Sequence, residues 1–382
     1  MRFIELIVKN LRRRLPRTLL TILGLAVAVT ATTTLWNIAW GYADSAQEFY
    51  AARDVDIVVV RAGVANRLTS NLRADLAARL KSLPGVDDVD ASLTEMVSVG
   101  NAVIIGIPLR GLAAAGFTMQ ELQISDGRTL KSGDRGHVLL GGGIAAALGK
   151  RSGDKVEIEG REFQVAGLIE AANPFDTNSI VAPLDDVQTL MGRPGIISEF
   201  QVRAAKAIRD DASLRNLCRD IEALQNDAHE PLGLKAQPTH QFINTATESR
   251  LGNATAWAIT TIVIVLSFVS VLNTMLMSVV ERTKELGILR ALGWKKSRVL
   301  RMILGESAAI SVVAALAGSV ISWVLVVILS NWSRTSLLVP AGVSAAALTP
   351  GIVVAVVAGI AGALYPALHA ASVQPVESLR YE

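Results

Sequence analysis

Four long stretches of this chain carry no charged residue: 19–40, 251–280, 307–333 and 335–368. A bilayer core about 30 Å thick is crossed by about 20 apolar residues in helical form, and each stretch can supply one such span. The last stretch is too long for one span. Pro340, Gly342, Thr349 and Pro350 place a loop ahead of a span at 351–368. The expected layout is a cytoplasmic segment 1–18, then spans at 19–40, 254–280, 303–330 and 351–368. Residues 41–253 form an extracytoplasmic domain, 281–301 a second cytoplasmic loop, 331–350 a short external loop and 369–382 a cytoplasmic tail. The fold class is thus a membrane protein of four transmembrane α-helices, with a large α+β extracytoplasmic domain inserted between the first and second spans.

Sidedness follows from the flanking Lys and Arg residues. Arg2, Lys9, Arg12, Arg13, Arg14 and Arg17 precede the first span, and Arg282, Lys284, Arg290, Lys295, Lys296, Arg298 and Arg301 lie between the second and third. Only Arg334 lies between the third and fourth. Both termini and the 281–301 loop are therefore expected in the cytoplasm. A cleavable signal peptide would also begin with basic residues, with Ala26-Val27-Ala28 or Val29-Thr30-Ala31 before the cut. The apolar stretch runs on to Trp40, however, which favours a retained span. A net charge of +3 gives no nucleic-acid footprint.

The external segment opens with a β-branched strand, DVDIVVV (54–60), and Leu72, Leu76, Leu80 and Leu83 predict a helix over 70–83. Residues 86–99 and 102–109 read as strands, and this βαββ order suggests a small α+β unit. A second block, 127–170, has short strands around VLL, KVEIEG and FQVAGLIE, with a small-residue helix ended by Gly149. SIVAPL (179–184) and EFQVR (199–203) read as strands, 185–192 and 209–225 as helices, and 235–253 as a helical lead into the second span. Cys218 is the only cysteine, so no internal disulfide supports this domain.

Two glycine motifs here mimic nucleotide sites. Gly141-Gly142-Gly143-Ile144-Ala145-Ala146 fits G-x-G-x-x-A but lacks an acidic ribose ligand in a βαβ context. Gly149-Lys150 has five residues, not four, after Gly143, and Arg151 stands where a Ser or Thr would hold magnesium. Both read as structural. The four histidines show no metal-ligand spacing, no nucleophile elbow or zinc-protease motif occurs, and Asp185-Asp186 reads as a helix start. A catalytic role is not expected, nor is a metal site.

The segment 281–300, ERTKELGILRALGWKKSRVL, breaks the apolar pattern. Leu286, Leu289 and Leu292 fall near one helical face with Ile288 beside them, while Glu281, Arg282, Lys284 and Glu285 form the opening turns. Gly287 and Gly293 each cost about 1 kcal/mol of helix stability, which suits a close backbone approach or a turn. On chemistry alone, a docking element and a plain interfacial helix fit equally well.

The segment 273–310, with Asn273, Glu281, Arg282, Glu285, Gly287, Arg290, Ala291, Gly293 and Glu306, resembles the FtsX-like permease domain of ABC transporters of the macrolide-exporter (MacB) type. Residues 365–382 resemble the same family's ending, a Pro-Ala turn followed by P-V-E-x-L-R, although Leu368-His369 stands where basic residues are usual. Block 127–170 is similar to its periplasmic core domain, and 9–29 to its opening span. The resemblance implies a non-catalytic permease subunit in a bacterial inner membrane, working as a homodimer or with a related permease. A separate ABC ATPase would carry the ATP and Mg, and a periplasmic adaptor could join them. Residues 281–293 would be the coupling helix. Glu281, Arg282, Lys284, Glu285 and Arg290 would make its polar rim, Leu286 and Leu289 would fill the ATPase groove, and Gly287 and Gly293 would shape it. Glu306 would sit at the membrane entry, paired with Arg301 or Arg298. ATP-driven motion would pass through the spans to the external domain for export or extraction of a substrate. The alternatives are an FtsX-like regulator that activates an external cell-wall hydrolase, and a receptor that uses no ATPase.

Overall fold

The computed structural model describes residues 15–64, 66–100, 104–170, 173–331 and 345–372. Of the expected segments, residues 1–14 of 1–18, 332–344 of the external loop 331–350 and 373–382 of the tail 369–382 lie outside these residues; Thr349 and Pro350, expected in that loop, lie instead inside the last helix, which begins at Ala345. The chain divides into a helical unit, to which Trp40 and the residues before it, 252–329 and the last helix belong, and a mixed unit covering Gly41–Leu251.

Four long helices carry the apolar stretches: Leu15–Ala51, Thr247–Glu281, Lys296–Asn331 and Ala345–Ser372. The first has 37 residues, about 55 Å at 1.5 Å per residue, well beyond a hydrocarbon core of about 30 Å. The expected spans therefore lie within longer helices whose ends are too polar to register as membrane sequence.

Small residues hold the helical unit together. Gly318 on the third helix faces the first, where an added Cβ would lie 2.6 Å from both the Ala26 carbonyl oxygen and Val29 Cβ. At the same crossing Thr30 donates its hydroxyl to the carbonyls of Ala26 (2.8 Å) and Gly318 (3.0 Å). The last helix packs on all three others: Gly351 against Thr33 and Val29, Gly359 against Ser311, and Gly362 against Phe268 and Val271. Ser307 donates to the Gly359 carbonyl at 2.7 Å, and Trp36 Nε1 donates to Thr260 Oγ1 at 3.0 Å. Such approaches favour association where lipid tails are as apolar as the side chains. These contacts join small residues of the first and third helices to the glycines of the fourth. Pro366, expected at a turn, lies inside the last helix, which continues to Ser372. In a packed membrane bundle, neighbouring helices and local adjustments compensate for the missing amide hydrogen bond.

The mixed unit is organised on a ten-stranded sheet. Its strands are β1 (Ile57–Arg61), β3 (Val86–Val99), β4 (Ile104–Leu112), β5 (Ile124–Gly127), β6 (His137–Gly141), β7 (Lys155–Ile158), β8 (Arg161–Ile169), β9 (Ile180–Pro183), β11 (Glu199–Ala204) and β12 (Leu234–Pro238). The order runs β12-β1-β11-β3-β4-β9-β6-β8-β5, with β7 bridging β3 and β8. Pairs are antiparallel except β4–β9 and β6–β8. One core lies around Leu93, Ile107, Val138, Ile144, Val165 and Ile180, where block 127–170 packs on β3 and β4. A second lies around Ile57, Leu80, Phe200, Leu217 and Ile221, beneath the helix Asp211–Glu222. Asp210 caps that helix by accepting from the amides of Ala212 and Ser213.

Two expectations fail here. Over 70–83 the leucine spacing predicts one helix, but Leu72–Arg73 forms a short strand, β2, paired with β10 (Ile196–Ile197). A 3-10 turn follows, and the α-helix covers only Ala77–Lys81. Long-range pairing overrides local spacing at this point. The lead into the second long helix is likewise not helical throughout: Leu234–Pro238 is β12, followed by a helix at Thr239–Thr245. The glycine run has a packing explanation. A Cβ on Gly141 would run into the carbonyls of Asp176 and Thr177, and one on Gly143 into Asn178. Gly149, at φ +63°, caps the short helix Gly142–Leu148.

Two outcomes follow. Gly318→Leu should force the first and third helices apart and cost about 1–3 kcal/mol, the range for overpacking. The control Val320→Leu, on an exposed face, should melt like wild type in detergent. The Cys218 thiol is buried, and burial followed by Glu222 pushes its pKa up to about 12. Native protein at pH 8 should resist iodoacetamide, whereas protein unfolded in guanidinium should be alkylated at once, as mass spectrometry would show.

Candidate functional site

The segment between the second and third long helices begins with a break. Arg282 leaves helical geometry at φ −110° and ψ 10°, and a separate helix runs from Thr283 to Ala291. The Val279 carbonyl, freed by the break, accepts from the Arg282 amide at 3.1 Å and the Thr283 hydroxyl at 3.1 Å. Backbone groups at the kink are thus satisfied locally, as membrane proximity requires.

Arg282 turns back toward the third long helix. Its Nη1 lies 3.1 and 3.2 Å from the two carboxylate oxygens of Glu306, and its Nε 3.4 Å from Glu285 Oε2. The side chains of Arg282 and Glu306 are 12% and 7% exposed. An ion pair so shielded is held in place, because separating it would strand a charge in a medium of low dielectric. Glu306 was expected to pair with Arg301 or Arg298. The kink brings Arg282 to it instead.

The pair fixes which face of the short helix turns inward. Leu286 is 2% exposed and packs with Val279, Val299, Met302, Ile303 and Ala367. Gly287 beside it is buried, and Leu289 and Arg290 are half-buried. Leu286 was expected to enter a partner's groove. The structure commits it to the helical unit, and it commits Arg282 to Glu306 and not to an outer rim. The exposed Glu281 ends the second long helix ahead of the break. The outward stripe of the short helix consists of Lys284, Glu285, Ile288 and, at the C-terminal cap, Leu292, with Ile288 45% and Leu292 75% exposed. Ile288 and Leu292 are its apolar contribution, and the sequence signal for them was the same leucine-rich periodicity read with the wrong face inward.

The helix ends in a Schellman motif. Gly293 adopts φ +89°, its amide donates to the Arg290 carbonyl at 3.1 Å, and the Trp294 amide donates to Leu289 at 3.1 Å. Arg290 Nη1 donates to the Trp294 carbonyl at 3.2 Å, and the Arg298 guanidinium lies 5.3 Å from the Trp294 ring centroid. Gly293 is therefore the turn that its position suggested. Lys295, Lys296 and Arg298 follow it, exposed, at the start of the third long helix. Among the described residues no three His, Cys, Asp or Glu side chains converge as a metal site would need.

Comparison with known proteins agrees with this architecture. The MacB-like periplasmic core domain matches residues 18–217, and the FtsX-like permease C-terminal domain matches 257–375. The chain is 23% identical to the uncharacterized ABC transporter permease MJ1507 of Methanocaldococcus jannaschii, over 98% of this chain and 96% of that one. It is 24% identical to the uncharacterized ABC transporter permease YknZ of Bacillus subtilis, over 96% and 95%. It is 24% identical to the macrolide export ATP-binding/permease protein MacB of Agrobacterium fabrum, spanning 95% of this chain but 58% of that protein. With four helices among the described residues long and apolar enough to cross a membrane, an inserted periplasmic core domain and an FtsX-like permease half, the chain belongs to the MacB/FtsX-like family of ABC transporter permeases.

Proposed function

We propose that this permease couples ATP hydrolysis on a separate ABC ATPase to movement of its external domain, for export or extraction of a substrate. The observation that carries this reading is the short helix Thr283–Ala291, locked by its inner face and presenting a mixed charged and apolar outer stripe. A loop needed only for topology requires basic residues, but no fixed face. Lys284 and Glu285 set register against a partner surface, and Ile288 and Leu292 supply the apolar contact. The basic residues around 281–301 favour the cytoplasmic side, where ATP is available. The Agrobacterium relative is named for both ATP binding and permease activity and is longer than this chain, which supports an ATPase partner. In this reading the permease itself binds no nucleotide, two permease chains pair, both termini are cytoplasmic, and ATP with Mg resides on the ATPase.

Affinity purification in mild detergent followed by mass spectrometry tests the proposal. An ABC ATPase should accompany the wild type and fall at least about tenfold with Lys284→Glu/Leu292→Asp, a loss of about 1.4 kcal/mol or more. That variant alters only exposed residues of the outward stripe and leaves the Arg282 contacts with Glu285 and Glu306 in place, so it should keep the wild-type Tm. Leu286→Asp should instead lower Tm, because it places a charge in the packed unit. If no ATPase accompanies wild type even after crosslinking, the coupling reading fails.

The Arg282–Glu306 pair gives a second outcome. Glu306→Ala should destabilise the helical unit by about 2 kcal/mol, below the 3–5 of a fully buried pair because Arg282 keeps some water. Adding Arg282→Ala should recover part of that loss in thermal unfolding. ATPase binding should weaken in the single variant, since the outer stripe loses its fixed orientation.

A further inference from the structure

Three guanidinium groups and two carboxylates meet at one place in the external unit, two of each buried and the third guanidinium, of Arg67, partly exposed. Arg53 Nη2 lies 2.6 Å from Asp176 Oδ1, and Arg110 Nη1 lies 3.2 Å from the same oxygen. Both guanidinium groups lie over the Phe49 ring, 4.2 and 4.3 Å from its centroid. Next to them, Arg67 Nη1 donates to the Tyr50 hydroxyl at 3.0 Å and lies 3.9 Å from Glu199 Oε2, while Tyr50 donates to Glu199 at 3.2 Å. Three guanidinium groups thus share two carboxylates, and all but Arg67 are nearly inaccessible. Arg53 Nε and Arg110 Nη2 are buried and make no hydrogen bond with any described group. Burial first, and then Arg53, pushes the Arg110 pKa down to about 10, whereas at Arg67 burial is outweighed by Tyr50 and Glu199, which raise its pKa and keep it charged.

A cavity of about 120 Å³ lies beside this cluster, lined by Phe49, Tyr50, Phe175 and Phe242 and by Arg67. Arg67 is 18% exposed, and the exposed Arg61 and Lys235 (the latter paired with Glu222) extend the lining to the surface. Ser249 also lines the cavity. It is 4% exposed, and its hydroxyl finds no partner among the described groups. A buried hydroxyl left unsatisfied is costly, and Arg67, the cation in excess of the two carboxylates, faces the same cavity. For scale, an engineered apolar cavity of roughly 150 Å³ accepts benzene.

We propose that this cavity is a binding site for a small organic anion whose apolar body is about one aromatic ring in size. The ring fills the space between the phenylalanines, and the anionic head meets Arg67 and the Ser249 hydroxyl. Cationic ligands are excluded, although an aromatic lining alone would attract them, because the cation excess repels them. The proposal is independent of ATPase coupling.

Ligand-detected NMR on the full-length protein in nanodiscs, with empty nanodiscs as control, provides the test, with benzoate and benzylamine as probes. Benzoate should bind wild type with a Kd on the order of 1 mM, as suits a ligand so small, and benzylamine should not bind. Arg67→Gln should weaken benzoate by at least about tenfold, and so should Val64→Trp, which fills the cavity from its wall. Each variant is checked against wild type by circular dichroism. If Arg67→Gln fails to fold, Val64→Trp alone decides. Equal benzoate binding to the folded variants, no benzoate binding to wild type, or benzylamine binding as tight as benzoate would each overturn the proposal.

Discussion

The orientation of the short helix Thr283–Ala291 in this permease depends on one ion pair. Arg282 stands where the second long helix stops, and Glu306 lies in the third, 24 residues on. Holding the two together does more than shield a charge. It sets the rotation of the helix between them, so that Leu286 points inward and Ile288 and Leu292 point outward. The Schellman turn at Gly293 closes the other end. A short helix of nine residues would be marginal in isolation. Here tertiary contacts at both ends and along one face keep it formed.

That dependence explains what could and could not be read from the residues alone. The location of the segment was legible, because charges interrupt apolar sequence and glycines punctuate it. Its facing was not. Leu286, Leu289 and Leu292 look equivalent on a helical projection, and only the long-range contact with Glu306 separates them. The external unit shows the same divide. Strands with β-branched runs, such as β1 and β3, were evident, and so was the capped helix Asp211–Glu222. Leu72–Arg73 and Leu234–Pro238 were not, since each owes its strand form to a partner distant in sequence. The glycines of the last helix were also silent, because a small residue in an apolar run signals close packing only once its neighbour is known.

The two units use different chemistry for the same end. Among the apolar spans of the helical unit, away from the Arg282–Glu306 pair, specificity comes from backbone approach and single hydroxyl bonds such as Thr30 to Gly318. In the external unit it comes from buried charge: Arg53, Asp176 and Arg110 tie the end of the first long helix to β4 and to the turn before β9. A hydrophobic isostere could fill that space as stably, so the ionic arrangement favours one defined geometry over generic collapse.

The ends of the ten-stranded sheet carry a consequence for how such domains meet in a crowded envelope. At one edge, β12 is five residues long, bears the exposed Lys235 and ends in Pro238. At the other, β5 has four residues, a register shift between Ile124 and Asp126, and an outward Asp126. Short length, a charge, a proline and a bulge are the devices that stop a free strand from recruiting another. Neighbouring copies are thereby hindered from extending the sheet, and contact between external domains falls to side chains instead of a shared backbone ladder.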